Sequence, residues 1–211
     1  MMDLPEEVAA YAHADFAEVN ATFVSRLLEL AGELEHARCI DLGTGPADIP
    51  IRVVRARAGW HITAVDSSPP MLGVARYAID QAGLSESIET LLADARDTDM
   101  PPHVFDVILS NSILHHMDDT GRFWREIRRL ARPGGVVFVR DLARPESADD
   151  AGEIVRQYAA AESELLRREY YRSLLAAYTV EEIATQLAAE GIDQLQVVTS
   201  SDRHLDVFGR L

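Results

Sequence analysis

The sequence predicts an α/β protein in which a mainly parallel sheet carries helices on both faces. Short apolar runs, several of them rich in Val and Ile, alternate with longer amphipathic stretches along the chain. This alternation is typical of βαβ units, whose parallel strands are buried on both faces. The 211 residues contain no segment that looks like an interdomain linker, so we expect one domain over residues 1–211.

Seven apolar runs predict the strands, and amphipathic stretches between them predict the helices. The predicted strands are Arg38–Leu42, Ile62–Val65, Ile88–Leu92, Val104–Ser110, Val136–Val139, Gln194–Thr199 and Leu205–Phe208. The predicted helices between them are Pro46–Ala58, Pro70–Ala82, Thr120–Ala131 and Val180–Glu190. Proline at 69 and 70 suits the first turn of a helix, and the Pro133-Gly134-Gly135 run ends the third helix sharply.

Two further helical segments lie outside this alternating pattern. Residues Glu6–Gly32 predict one or two helices with an apolar stripe, and Asp149–Arg168 predicts one helix inserted after the fifth strand. We expect residues 1–35 and 142–178 to cap the open end of the sheet. A homodimer through these capping helices is possible.

Composition and charge limit the classes of partner. The net charge of −15 disfavours nucleic acid, because such a surface repels phosphate backbones. The densest basic run, Arg122 to Arg132, is interleaved with apolar residues and is expected to be the solvated face of one helix. A single cysteine excludes an internal disulfide, and no apolar run approaches the roughly 18 residues of a membrane span. With an acidic N-terminus that lacks a signal-peptide pattern, these features favour the cytoplasm.

The strongest local signal is a glycine turn after the first strand. Gly43 and Gly45 allow a tight turn and close approach of a ligand to the backbone, whereas Ala47 stands near the third glycine of a dinucleotide-binding loop. Asp66 follows roughly 20 residues later, at the end of the second strand, where a carboxylate accepts hydrogen bonds from ribose hydroxyls. Alternatively, Asp66 caps the next helix, a role that Ser67 or Ser68 could also fill.

The third and fourth strands end in further polar residues. After the third strand, the Asp94 carboxylate can accept from the exocyclic amine of an adenine while the Ala95 N–H donates to a ring nitrogen. The fourth strand leads into Asn111 and Ser112 and then into Leu114-His115-His116.

The ordered motifs resemble those of the class I S-adenosylmethionine (SAM)-dependent methyltransferases. The motifs are Asp-Leu-Gly-Thr-Gly, Val-Asp, Ala-Asp-Ala, Phe-Asp-Val-Ile, Leu-His-His and Arg-Pro-Gly-Gly, over roughly residues 37–140. The resemblance implies a Rossmann-like, seven-stranded sheet, mostly parallel, with its last strand antiparallel. It also implies SAM as cofactor, S-adenosylhomocysteine (SAH) as product and a small-molecule methyl acceptor.

The same resemblance implies which residues meet the cofactor. Gly43, Thr44 and Gly45 would line its methionine end, and Asp66 would hold the ribose. Asp94 and Ala95 would meet the adenine with Ser67 and Met71 nearby, and Asn111 and Ser112 would lie beside the sulfonium. The predicted cofactor site also includes Asp41, and Tyr11 from an N-terminal helix that folds over the pocket in many small methyltransferases.

Catalytic groups are harder to predict, because in-line methyl transfer depends mainly on alignment of the reactants. A general base is needed only when the acceptor loses a proton. His115 and His116 are the candidate bases, at the sheet edge where ligands bind, although the pair could instead shape the loop. Adjacent histidines rarely converge on one ion, so no metal site is predicted. The acceptor pocket could be lined by residues after the fifth strand and the inserted helix: Arg140, Asp141, Tyr170, Tyr171 and Arg172.

Two other functions remain open at this point. One is a SAM-binding protein without catalysis, such as a regulatory subunit, which needs the same cofactor residues. The other is a nicotinamide-dependent oxidoreductase, which also uses a glycine turn and a ribose-binding acid. The missing third glycine and the Ala-Asp-Ala and Arg-Pro-Gly-Gly motifs argue against the oxidoreductase.

Overall fold

A computed structural model describes residues 17–211, in which seven strands form one sheet in the order β3-β2-β1-β4-β5-β7-β6. The strands are β1 (Ala37–Leu42), β2 (Trp60–Asp66), β3 (Ile88–Leu92), β4 (Phe105–Asn111), β5 (Ala131–Leu142), β6 (Leu195–Thr199) and β7 (His204–Arg210). The helices are α1 (Ala17–Ala31), α2 (Asp48–Ala56), α3 (Pro69–Gln81), α4 (Gly121–Leu130), α5 (Ala148–Tyr158), α6 (Glu164–Ala176) and α7 (Val180–Ala189), with a 3₁₀ turn at Leu114–His116. β1 to β5 pair in parallel, and β7 is antiparallel to both β5 and β6. The predicted Rossmann-like sheet with an antiparallel last strand is confirmed.

The prediction of one helix over Asp149–Arg168 is wrong, because two helices, α5 and α6, occupy this region. The α5 helix ends at Tyr158, and Ser163 starts α6 by accepting a hydrogen bond from the Leu166 N–H. Apolar residues on both sides of the break pack into the same small cluster, so the helical periodicity in the sequence continues across it.

Two hydrophobic clusters cover the two faces of the sheet. On one face, Phe23 and Leu27 of α1 pack with residues of α2 and α3 against β1, β2 and β5. On the other face, Trp124 and Ile127 of α4 pack with α7 against β4 and β7. The described part of the N-terminal helical segment therefore lies on a sheet face, beside α2. Fully burying one such large apolar side chain stabilises the fold by about 1.5–3 kcal/mol.

A third cluster, built by α5 and α6, lies apart from the two sheet-face clusters. It contains Ile154 and Val155 of α5, Leu174 of α6, and Leu142 from the end of β5. The α6 helix also contacts the 3₁₀ turn that follows β4. The cap formed by α5 and α6 is thereby placed next to the carboxyl ends of the central strands.

The charged residues of α4 behave as the sequence predicts. Arg122, Arg125 and Arg128 are exposed while the apolar residues between them are buried. Within residues 17–211, no helix has the length and apolar character needed to cross a membrane.

Candidate active site

The carboxyl ends of β1 to β4 border a cleft of about 200 Å³. Ten of the residues predicted from the sequence line it: Gly43, Gly45, Asp66, Ser67, Met71, Asp94, Ala95, Asn111, Ser112 and His116. Ser68, Ala93, Arg96, Ile113 and Met117 complete its lining. Since parallel strands end at the same edge of a sheet, loops that are far apart in sequence meet at this cleft.

The glycine loop is held tightly by the neighbouring strand. The N–H groups of Gly43 and Thr44 both donate to the Val65 carbonyl, at 2.9 and 2.8 Å. The Gly45 N–H donates to Oδ2 of Asp66 at 2.9 Å. A Cβ on Gly43 would lie 2.3 Å from Cγ2 of Ile113, and the φ of Gly43 is +81°. Glycine at 43 is therefore required by protein packing as well as by backbone conformation.

Ala47 occupies a conformation that favours glycine. Its φ is 65° and its side chain is fully buried at the start of α2. An L-residue in this left-handed region costs roughly 1–2 kcal/mol relative to the ordinary helical region. Ala47 thus adopts the left-handed backbone conformation expected of a glycine at this position.

Asp66 lines the cleft and is held in place by two backbone groups. Its Oδ1 accepts from the Ser68 N–H and its Oδ2 from the Gly45 N–H, both at 2.9 Å. The side-chain cap of α3 is Ser68, whose hydroxyl accepts from the Met71 N–H. Since each carboxylate oxygen can accept two hydrogen bonds, Asp66 retains acceptor capacity for a ligand with vicinal hydroxyls.

Asp94 forms a fork-like ion pair with Arg96, which the sequence analysis did not identify. The Arg96 Nε donates to both carboxylate oxygens at 2.9 and 3.1 Å, and its Nη2 donates to Oδ2 at 2.7 Å. The Arg96 N–H donates to Oδ1 at 2.9 Å. These hydrogen bonds lower the pKa of Asp94, so the carboxylate is ionised at neutral pH.

The two histidines after β4 occupy different environments. The side chain of His115 is buried, and its Nδ1 donates to Oδ1 of Asp141 at 2.6 Å. Asp141, also buried, accepts the Leu114 N–H at 2.6 Å, which fixes the 3₁₀ turn against the end of β5. His116 packs its ring against that of His115, with centroids 4.1 Å apart, and lines the exposed mouth of the cleft. Desolvation by the surrounding protein, together with the adjacent His115, lowers the pKa of His116.

Three predicted cofactor or catalytic residues in the described part of the chain are not among those that line the cleft. Asp41 is buried beneath the glycine loop, and burial raises its pKa to about 7. The buried Thr44 hydroxyl interacts with Asp41 but makes no hydrogen bond of ordinary geometry within the described residues. His115 lies behind His116, and Tyr11 lies outside the described residues. The roles of these four residues, like those of the residues that line the cleft, stay predictions.

The residues expected near the acceptor are also mostly engaged elsewhere. Arg140 is buried and forms a two-pronged ion pair with Asp206 at 2.7 and 2.8 Å. Tyr170 and Tyr171 pack against the cluster between α5 and α6. In the described part of the chain, no group of three or more His, Cys, Asp or Glu residues is arranged to hold a metal ion.

Comparison with known proteins finds methyltransferases. Residues 40–139 match a family model described as a methyltransferase domain. A ubiquinone biosynthesis O-methyltransferase of Xanthomonas euvesicatoria is 31% identical over 147 residues, which cover 67% of this chain and 56% of that protein. A demethylmenaquinone methyltransferase of Thermus thermophilus is 29% identical over 120 residues, or 57% of this chain and 54% of that protein. The chain thus spans about half the length of these curated relatives.

Solved structures share the fold at low sequence identity. A SAM-dependent methyltransferase from Aquifex aeolicus superposes with a TM-score of 0.73 at 16% identity, covering 98% of both chains. A phosphoethanolamine N-methyltransferase from Haemonchus contortus, solved with SAM, gives a TM-score of 0.70 at 16% identity over 92% of this chain and 52% of that one. The matched methyltransferase domain, the ordered motifs and the shared fold are thus all similar to those of the class I SAM-dependent methyltransferases.

Proposed function

We propose that this chain binds SAM in the cleft and transfers its methyl group to a small-molecule acceptor. The observation that carries the proposal is the convergence of the glycine loop, Asp66, Asp94 and Asn111 on one cleft. When bound, SAM supplies a methyl group on a positively charged sulfur that leaves as the neutral thioether of SAH.

The residues at the cleft fit the parts of SAM. Asp66 would accept hydrogen bonds from the two ribose hydroxyls, while Met71, Ala93 and Ala95 offer apolar contact to a flat base. Asp94 would accept from the exocyclic amine. The glycine loop would border the methionine end, and Asn111 and Ser112 the sulfonium. Alignment of the acceptor with the methyl group is then the main contribution to catalysis.

The glycine loop favours a ligand without phosphates over a nicotinamide dinucleotide. Pyrophosphate binding in dinucleotide-binding folds relies on loop and helix N–H groups that face the ligand. Here the N–H groups of residues 43, 44 and 45 all donate within the protein. The Gly45 N–H donates to the carboxylate of Asp66, whose negative charge would repel a phosphate.

Of the two histidines, His116 is the better candidate for a general base, because it lines the cleft and His115 does not. Its lowered pKa keeps the imidazole neutral and a ring nitrogen free to accept a proton, but it also makes the ring a weaker base, so the case for His116 rests on its position in the cleft. If the acceptor is a hydroxyl, its proton would pass to His116 as the oxygen–carbon bond forms and the carbon–sulfur bond breaks. The Asp141–His115 pair would support the ring of His116 from behind.

The acceptor class to examine first is a phenolic hydroxyl. The name of the Xanthomonas relative, a ubiquinone biosynthesis O-methyltransferase, supports this choice, and the name of the Thermus relative, a demethylmenaquinone methyltransferase, supports only a quinone-like acceptor. A homodimer through the capping helices also stays a prediction, which sedimentation velocity would test.

Titration calorimetry with SAM, SAH and NAD tests the cofactor proposal. We expect SAM and SAH to bind, NAD not to bind, and the Asp66→Ala variant to lose affinity for both sulfur ligands. Binding of NAD alone would contradict the proposal. Release of SAH in the presence of simple phenols would then show catalysis, whereas binding without turnover on any acceptor favours a non-catalytic SAM-binding protein.

A further inference from the structure

The fork-like pair between Asp94 and Arg96 lies inside the cleft, at the end where the adenine is proposed to bind. Both residues line the cleft, and they are separated by a single residue in the sequence. A tight turn, in which the Asp97 N–H donates to the Asp94 carbonyl at 2.9 Å, brings the two side chains together. All of the hydrogen bonds of the pair are therefore made within one local loop.

The pair orients a carboxylate that would otherwise rotate freely. The side chain of Asp94 is 41% exposed, so packing alone does not fix it. Arg96 fixes it with three N–H groups, namely its backbone N, Nε and Nη2. A two-pronged arginine contact defines the plane of a carboxylate, which a single point charge cannot do.

The pair also leaves the carboxylate able to bind a ligand. Two carboxylate oxygens offer about four acceptor positions. Oδ1 receives the backbone N–H and Nε of Arg96, and Oδ2 receives Nη2 with a longer contact from Nε. Because the Nε proton is shared between the two oxygens, three protons face about four acceptor positions, and the long Nε contact to Oδ2, at 3.1 Å, is the one that a ligand donor can replace.

We propose that Arg96 is a positioning residue for base recognition: it fixes the Asp94 carboxylate so that Oδ2 selects ligands whose base carries an exocyclic amino group. This inference rests on the proposed SAM function and adds to it a determinant of ligand specificity. The guanidinium acts through Asp94 and makes no direct bond to the amine. The selected class is 6-aminopurine nucleosides over purines that lack the amine.

A pair of ligands that differ only in the amine tests this role. The probes are SAH and its 6-deamino analogue, in which purine riboside replaces adenosine, with both dissociation constants measured by calorimetry. The wild-type protein should prefer SAH by about 10-fold or more, the effect of one hydrogen bond to a charged group. In Arg96→Ala, SAH should bind about 5- to 10-fold more weakly while the analogue changes little, so that the preference falls towards 1. Arg96→Lys should restore only part of the preference, because an ammonium cannot form the fork.

Arg76→Ala is the matched control, because Arg76 lies on α3, bonds the Thr90 hydroxyl and does not line the cleft. It should leave both dissociation constants unchanged. A cooperative thermal transition shows that each variant is folded. If Arg96→Ala does not fold, Arg96→Lys provides the test. Equal weakening of both ligands in the Arg96 variants, an unchanged preference, or tighter SAH binding would overturn the inference while leaving the proposed function standing. Absence of SAH binding by the wild-type protein would overturn both.

Discussion

Replacing Gly43 by alanine is expected to destabilise the protein mainly through a clash with Ile113. The new Cβ would lie 2.3 Å from Cγ2 of Ile113, more than 1 Å inside van der Waals contact. Forcing an extra methyl group into a packed site costs about 1–3 kcal/mol, and an alanine at φ near +81° adds roughly 1 kcal/mol. We therefore expect Gly43→Ala to lower the free energy of unfolding by about 2–4 kcal/mol.

A double-mutant cycle with Ile113→Ala isolates the clash from the backbone strain. Ile113 is partly buried, so its truncation alone should cost about 1–2 kcal/mol, less than in a full core. In the double variant the clashing Cγ2 is absent, so the two changes should be non-additive by about 1–3 kcal/mol. Urea unfolding measures the four free energies. Gly73→Ala is the control, because a Cβ at this helical glycine meets nothing within 4 Å, and it should be neutral or slightly stabilising.

Additive costs, within about 0.5 kcal/mol, would refute the packing explanation for Gly43. Calorimetry with SAH on the double variant provides a second result. Recovery of both stability and binding would mean that glycine is needed at position 43 only to avoid the clash with Ile113. Recovery of stability without binding would mean that the ligand also needs the space above Gly43.

Three further predictions concern other parts of the molecule. Asp206→Ala should lower the free energy of unfolding by about 3–5 kcal/mol, because it leaves the Arg140 guanidinium buried without its carboxylate partner. The control is Asp202→Ala at an exposed ion pair, which should lower the free energy of unfolding far less in the same urea experiment. Thr179→Ala removes the capping box of α7 and should cost about 1 kcal/mol, whereas Thr179→Ser, which keeps the hydroxyl, should be nearly neutral. Burial raises the pKa of Asp41 to about 7, so the native state binds its proton more tightly than the unfolded chain and the stabilisation present at pH 4 is lost as the pH rises through 7. Asp41→Asn should therefore be more stable than the wild-type protein at pH 8, by a margin that shrinks towards pH 4, and a margin independent of pH would contradict the assignment.

The strands could be predicted because each apolar run is bounded by residues that end it. Gly43, for example, directly follows β1, and Pro133 lies in the irregular first part of β5, before its regular pairing with β4 begins at Val136. The break between α5 and α6 could not be predicted in the same way. Neither glycine nor proline marks residues 159–163, and apolar residues on both sides face one cluster, so the helical period gave no sign of it.

The sequence predicts most of the residues that line the cleft but not the hydrogen bonds between them. Asp66 and Asp94 were predicted because each follows a strand, and strand ends meet at one sheet edge. The Asp94–Arg96 fork was missed because it depends on a tight turn that has no glycine or proline signal. The Asp141–His115 pair forms because β4 and β5 are neighbours in the sheet, which brings the turn after β4 next to the end of β5. The sequence does not give the strand order, so it could not predict this pair.

Because the cluster between α5 and α6 is separate from the two sheet-face clusters, substitutions can accumulate in the cap and in the sheet at different rates. Substitutions in this cap disturb few residues of the two sheet-face clusters, because only Leu142 of the sheet belongs to it. Local opening of the cap should therefore require less free energy than global unfolding, and its amide hydrogens should exchange earlier than those of β1 and β4. Under the proposed function, substitutions in α5 and α6 would then alter the surroundings of the acceptor while the sheet that carries the cofactor cleft is inherited unchanged.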